Sequence, residues 1–284
     1  IGQVSVEYRP QPKRMYYGRI SNGYRAGGFN FAGADIKNTF DEETLTNYEL
    51  GMKGLYFDGR LQFTVGLFYQ VFEDYQLTAN QPIDPRFLLP TDDSPVAEQT
   101  INVSSDTNIW GVEAEWIYQI DEHWRVSSYY AYQESDLGSH STVVFGDPNQ
   151  EFEQFQYLDP SSPGPDGMFG TADDFIAFNT VPIPRDHGGN ELPQMPNHKG
   201  ALTLAYETPL GISGSLELLT TVSYTGERWP QRYGNISRAE VPSYTRWDAR
   251  ATWASPNRQW TVSLYVQNIT DEIGVSEAIP IELI

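Results

Sequence analysis

The chain has 284 residues, enough for one large all-β domain or two smaller ones, and carries no cysteine, so disulfides, thiolate metal sites and cysteine nucleophiles are all excluded. A mean hydropathy of -0.48, with no run of eighteen apolar residues, excludes a transmembrane helix. It does not exclude membrane strands, in which only alternate residues face lipid. The formal net charge of -20 argues against nucleic-acid binding, which needs a basic face.

The 7 Trp, 18 Tyr and 14 Phe are more than a soluble domain usually needs, and they suit the aromatic girdles of a barrel. The N-terminus, Ile1-Gly2-Gln3, lacks the charged and apolar regions of a signal peptide, so processing or a longer parent chain is expected.

In chain order, the dominant pattern is alternation at period two. A weak strand is predicted near Met15–Ser21, and a clearer one where Tyr48, Leu50 and Met52 alternate with Glu49, Gly51 and Lys53. In 61–71, Leu61, Phe63, Val65, Leu67, Tyr69 and Val71 share one face, and Phe68 breaks the other. Trp110 to Tyr118, Trp124 to Tyr132, Leu202 to Tyr206, Leu216 to Tyr224, Trp247 to Trp253 and Trp260 to Gln267 follow suit, giving nine strands and no amphipathic helix. Tryptophans near the strand ends fit interfacial belts, although β-propensity alone also enriches them.

The connections alternate in length. Asp58-Gly59-Arg60, Asp121–His123, Pro209–Ser213 and Ala254–Arg258 are short, while Asn22–Thr44, Thr78–Ile101, Leu137–Pro196 and Glu227–Pro242 are long. That is the layout of an outer-membrane barrel with short periplasmic turns and long extracellular loops. Nine strands leave two open edges, which hydrocarbon does not tolerate, and an odd count does not suit a complete bacterial barrel. The expected fold is therefore an antiparallel transmembrane β-barrel, partial, all-β and without a plug domain.

Several ordered segments carry a family resemblance. Tyr24-Arg25-Ala26-Gly27-Gly28-Phe29-Asn30, Tyr48-Glu49-Leu50-Gly51-Met52-Lys53, Asp58-Gly59-Arg60-Leu61 and Phe68-Tyr69 come first. Gly111-Val112-Glu113-Ala114-Glu115, Pro196-Asn197-His198-Lys199, Val241-Pro242-Ser243-Tyr244 and Asn268-Ile269-Thr270-Asp271-Glu272 follow. In this order they resemble the C-terminal barrel markers of TonB-dependent outer-membrane receptors of the siderophore branch. The resemblance implies that residues 1–284 are the C-terminal portion of a barrel of twenty-two strands. The nine strands would be the thirteenth to the twenty-first, ascending at both ends, with the plug, TonB box and closing strand absent.

That resemblance implies a bacterial outer-membrane location, contact with lipid and lipopolysaccharide, and no enzymatic role. It also implies TonB–ExbB–ExbD as energy source and a ferric siderophore as ligand, with vitamin B12, heme or a glycan as variants. A passive porin-type barrel and a soluble carbohydrate-binding β-sandwich are the rivals. Glu49, Lys53, Glu113, Glu115, Arg125, Glu217, Arg246, Asp248 and Arg250 fall on the polar parity. They would face the plug or a hydrated lumen, or else pair across strands to support the sheet.

Arg25, Phe29, Arg228, Trp229, Arg232 and Tyr233 combine cations with aromatics, which suits an anionic aromatic chelate, or reflect ordinary loop composition. Between Leu137 and Pro196 lie nine Asp/Glu and one Arg. Within that segment Asp159, Asp166, Asp173 and Asp174, with Gly167 and Gly170, suit a structural Ca²⁺ without forming an EF-hand, or form a solvated acidic loop. No cofactor is required, and no catalytic motif is present among four scattered histidines.

Overall fold

The computed structural model describes residues 1–30, 39–82, 96–143, 151–158, 167–168, 175–229 and 240–275. Ten strands form one antiparallel meander in which each pairs with its neighbours in sequence. They are β1 (Gly2–Gln11), β2 (Arg14–Arg25), β3 (Glu43–Tyr56), β4 (Leu61–Glu73) and β5 (Thr107–Gln119). β6 (Trp124–Asp136), β7 (His198–Pro209), β8 (Ser215–Thr225), β9 (Tyr244–Ala254) and β10 (Thr261–Val266) complete it. The first nine have 10 to 14 residues, long enough to cross a bilayer at a tilt.

The count corrects the sequence reading. β1 was not expected, although Val4, Val6 and Tyr8 alternate with Gln3, Ser5 and Glu7; the run is short and is interrupted by Pro10, which argues against a strand. Its presence also reverses the expected direction of the first strand, which runs toward the short-turn end. The weak strand at 15–21 extends over twelve residues. The long links carry ribbons of their own: Gly28–Phe29 with Thr39–Phe40, Gln76–Pro82 with Val96–Asn102, Ser141–Thr142 with Arg185–Asp186, and Phe152–Leu158 with Phe175–Pro182.

Register keeps the two faces apart across the sheet. One row reads Val6, Gly18, Leu50, Leu67, Val112 and Tyr132 from β1 to β6. Another reads Tyr206, Leu218, Ala251 and Leu264 from β7 to β10. This apolar face is uncovered: Leu50 is 64% exposed, Leu67 55% and Leu264 73%. A sandwich would bury these side chains against a second sheet, so the soluble rival fails.

Aromatic pairs border the apolar face at both ends. Toward the long links, Tyr48 stacks on Tyr69 at 6.4 Å, and Tyr132 lies between Trp110 (5.6 Å) and His198 (5.0 Å). Toward the short turns, Trp124 meets Tyr206 at 4.6 Å and Phe57 meets Tyr118 at 6.4 Å. On β5, Trp110 and Tyr118 are separated by about 27 Å of strand, or about 21 Å of height at a ~40° tilt, close to the apolar band of outer-membrane barrels.

The short turns are built by unusual backbone. Phe57, Asp58 and Gly59 all have positive φ, and Arg60 N–H closes on the Phe57 carbonyl at 3.1 Å. In the β7–β8 turn, Gly214 has φ 103, and a Cβ there would lie 1.9 Å from the Ala254 carbonyl oxygen.

An arginine placed on the apolar face tests which solvent it meets. Leu67→Arg in the complete protein should destabilise the lipid-embedded fold by about 2–4 kcal/mol. Gln62→Arg, at an exposed position on the polar face, should change it by less than about 0.5 kcal/mol. Urea unfolding in phospholipid vesicles separates the two.

Candidate functional site

All nine charged residues expected on one face share the polar side of the sheet, by their alternation with the apolar rows. They form two groups. Glu217 on β8 takes Arg125 from β6 at 4.0 Å on one carboxylate oxygen and Arg250 from β9 at 3.3 Å on the other. Arg246 reaches Asp248 at 3.1 Å along β9, and the second oxygen of Asp248 accepts the Asn268 N–H at 2.8 Å. Glu217 thus pairs across strands and Asp248 within its own strand.

The second group is anchored by two residues that the sequence reading passed over, Tyr17 and Arg19 on β2. Arg19 lies opposite Glu49 in register and its guanidinium pairs with Glu49 Oε2. The Tyr17 hydroxyl donates to Glu49 Oε1 at 2.6 Å. Its ring lies across Gly51, where a Cβ would sit 2.6 Å from the ring, so only glycine admits it. Lys53 places its ammonium 5.6 Å from the same ring. Phe68, the apparent exception in the alternation of β4, covers Gly111 in the same manner. The available signal was the alternation of Tyr17, Arg19 and Ser21 against Tyr16, Gly18 and Ile20.

Across Gly66 and Thr64 from this cluster stand Glu113 and Glu115, neither in an ion pair among the described residues. Together they border a recess of ≈ 560 Å³, also lined by Phe68, Ile109 and Met195. Arg19 Nε and Asn47 Oδ1 are buried there without a hydrogen-bond partner. A buried donor and a buried acceptor are thus left for a polar body to satisfy, with two exposed carboxylates beside them.

Beyond the strands, the long links are tied together. Gln76, 5% exposed, donates its side-chain amide to the carbonyls of Ala26 (2.9 Å) and Asp41 (3.0 Å), and its N–H meets Glu43 at 2.7 Å. Asn30 exchanges two bonds with the Thr100 backbone, at 2.8 and 2.9 Å. Leu77, Val103, Leu137 and Leu192 form a small buried core among the links. The Gly27–Gly28 pair permits this packing, since a Cβ on Gly27 would lie 2.5 Å from the Phe40 carbonyl oxygen.

The residues expected to touch ligand divide. Arg25 and Phe29 are exposed at one side of this assembly, Phe29 at 74%. Trp229 donates its indole N–H to Glu191 at 2.9 Å, and Arg228 bonds Gln194 and the Val275 carbonyl, so both have structural partners. Arg232 and Tyr233 lie outside the described residues, as do Asp159, Asp166, Asp173 and Asp174. Among the described residues no three His, Asp or Glu gather as a metal site.

A histidine closes the longest link. Burial holds the His140 imidazole below its usual pKa, opposed by its bond to the Gly138 carbonyl and by Asp186. N–H groups of Gly188 and His140 hold the Asp186 carboxyl below its ordinary value. A depressed folded pKa favours neutral His140 in the fold, so its contribution is full above about pH 6.5 and declines as pH falls below that.

Two outcomes follow. As pH falls from 7.5 to 5.5, the hydrogen-exchange protection factors of His187 and Gly189, whose N–H groups bond the His140 and Leu137 carbonyls, should decrease, and His140→Gln should flatten the dependence. Gly51→Val should displace Tyr17 and lower stability by about 1–3 kcal/mol, and Tyr17→Phe should cost little more in that background, read by urea unfolding.

A family model for the TonB dependent receptor-like β-barrel matches residues 1–269. The ferric yersiniabactin uptake receptor FyuA of Yersinia pestis is similar in fold, with a TM-score of 0.62 at 17% identity over 95% of this chain and 32% of that one. The siderophore receptor PiuA of Acinetobacter baumannii gives 0.60 at 17% identity, over 95% and 31%. The copper transporter OprC gives 0.60 at 14%, over 96% and 34%. The chain thus spans about a third of the length of these structures, and the family is one of bacterial outer-membrane transport receptors. With its open antiparallel wall, its uncovered apolar face and its charged opposite face, the chain belongs to the TonB-dependent receptor β-barrel family.

Proposed function

We propose that this chain is part of the barrel wall of an outer-membrane receptor that takes up a scarce nutrient, a ferric siderophore, using energy relayed by TonB–ExbB–ExbD. The observation that carries the reading is the unfinished polar face. Glu113 and Glu115, exposed and in no ion pair among the described residues, border a recess in which Arg19 Nε and Asn47 Oδ1 are buried without a hydrogen-bond partner there. The buried Arg19 Nε and Asn47 Oδ1 lack protein partners, and a plug domain seated against the wall would supply them.

The siderophore is the finer part of the proposal. Its support is the exposed arginine and aromatic pair, Arg25 and Phe29, at the long-link end, together with similar structures named as siderophore receptors. Exposed guanidinium and aromatic groups at one end suit an anionic chelate. OprC makes a copper ligand the specific competitor.

The test is uptake by intact cells of the source bacterium. Deletion of the complete gene should abolish accumulation of radiolabelled iron from one ferric siderophore, and loss of TonB should do the same. Uptake that persists without TonB would indicate a passive barrel. A defect confined to copper would move the ligand assignment.

A further inference from the structure

The longest link is closed at its base by a short ladder that brings two of the four histidines together. Ser141 pairs with Asp186 and Thr142 with Arg185. The same register carries on to His140 and His187, where the His187 N–H bonds the His140 carbonyl at 3.0 Å. Residues directly opposite in an antiparallel pair put their side chains on one face, with Cβ atoms about 4.5–5.5 Å apart. The two imidazole rings accordingly lie 6.0 Å apart between centroids, tilted by 41°.

Only one nitrogen of the first ring is engaged among the described residues. His140 is 4% exposed, and its Nδ1 donates to the Gly138 carbonyl oxygen at 3.0 Å. In the neutral ring Nε2 then carries the lone pair, and that atom is buried with no hydrogen-bond partner. An imidazole that donates one N–H to a backbone carbonyl and keeps its other nitrogen unprotonated is arranged as metal ligands are. The spacing fits as well: an ion about 2.0–2.1 Å from each Nε2 sets the ring centroids about 5–6 Å apart. Asp186, whose Oδ1 accepts the His140 and Gly188 N–H groups at 3.0 and 2.9 Å, adds negative charge beside the pair. His187 is only partly buried, which gives an ion and its waters access.

We infer that His140 and His187 together hold one Zn²⁺, which staples the two ends of the longest link. Imidazole donors select an ion of this kind over Ca²⁺ or Mg²⁺, which take oxygen ligands. The chain supplies two donors, since no third His, Asp or Glu joins them among the described residues, and water completes the coordination. The ion is therefore a clasp on a ladder already formed by backbone bonds, rather than a requirement of the fold. None of this depends on what the receptor takes up.

Calorimetric titration of ZnCl₂ into the complete receptor in detergent, stripped of metal with EDTA, provides the test. Loss of a group that supports a metal ligand costs about 10–100-fold in affinity, and loss of a ligand should cost no less. His140→Gln and His187→Gln should therefore each weaken the same single Zn²⁺ site by at least about tenfold. His123→Gln, in the turn between β5 and β6, and His198→Gln, at the start of β7, should leave that site unchanged. Should a variant fold poorly, hydrogen exchange on the unmodified receptor gives a second readout. At pH 7.5, Zn²⁺ should raise the protection of the His187 and Gly189 N–H groups, which close the ladder, and Mg²⁺ should not. Zinc affinity that survives in both variants, or falls in only one of them, overturns the inference, as does exchange that Zn²⁺ leaves unchanged.

Discussion

A peptide group in hydrocarbon has no water to bond, so a membrane wall must satisfy its backbone from neighbouring strands. The meander from β1 to β10 does this with almost unbroken register, and one consequence governs the rest: side chains alternate faces, and a slip of one residue would exchange them all. The exposed leucines, the girdles and the charged opposite face are three results of that one constraint. The ladder also leaves the outer edges of β1 and β10 without a partner strand among the described residues, as expected for a partial wall.

This explains why the strands were legible in the sequence. Period-two alternation in 61–71 or 110–118 is itself the physical requirement for two unlike solvents, and the nine charges follow from parity alone. β1 shows the boundary of that method, because three apolar positions and a proline fall below what a window can separate from a loop. Partnership is harder to read than parity. Arg19 meets Glu49 only through the register of β2 on β3, and Tyr17 needs a glycine thirty-four residues later in the chain.

The links were the least legible. Leu77, Val103, Leu137 and Leu192 come from distant segments and share no period, so nothing local marks them as a core. Their packing depends on amide side chains such as Gln76 and Asn30 serving as partners for backbone groups of other links. The same logic gives two of the expected ligand contacts partners within the links. Arg228 and Trp229 look like recognition residues by type, yet Gln194, Val275 and Glu191 engage them.

Those ties make the four links interdependent. The first is joined to the second through Asn30 and Gln76, the second to the third through Ser104 and Ser139, and the third to the fourth through Gln194 and Trp229. Transplanting a single link from a relative would strand donors and acceptors on both of its neighbours. Diversification of this surface must therefore proceed by coordinated replacement of adjoining segments, and chimaeras cut within the group inherit mismatched seams.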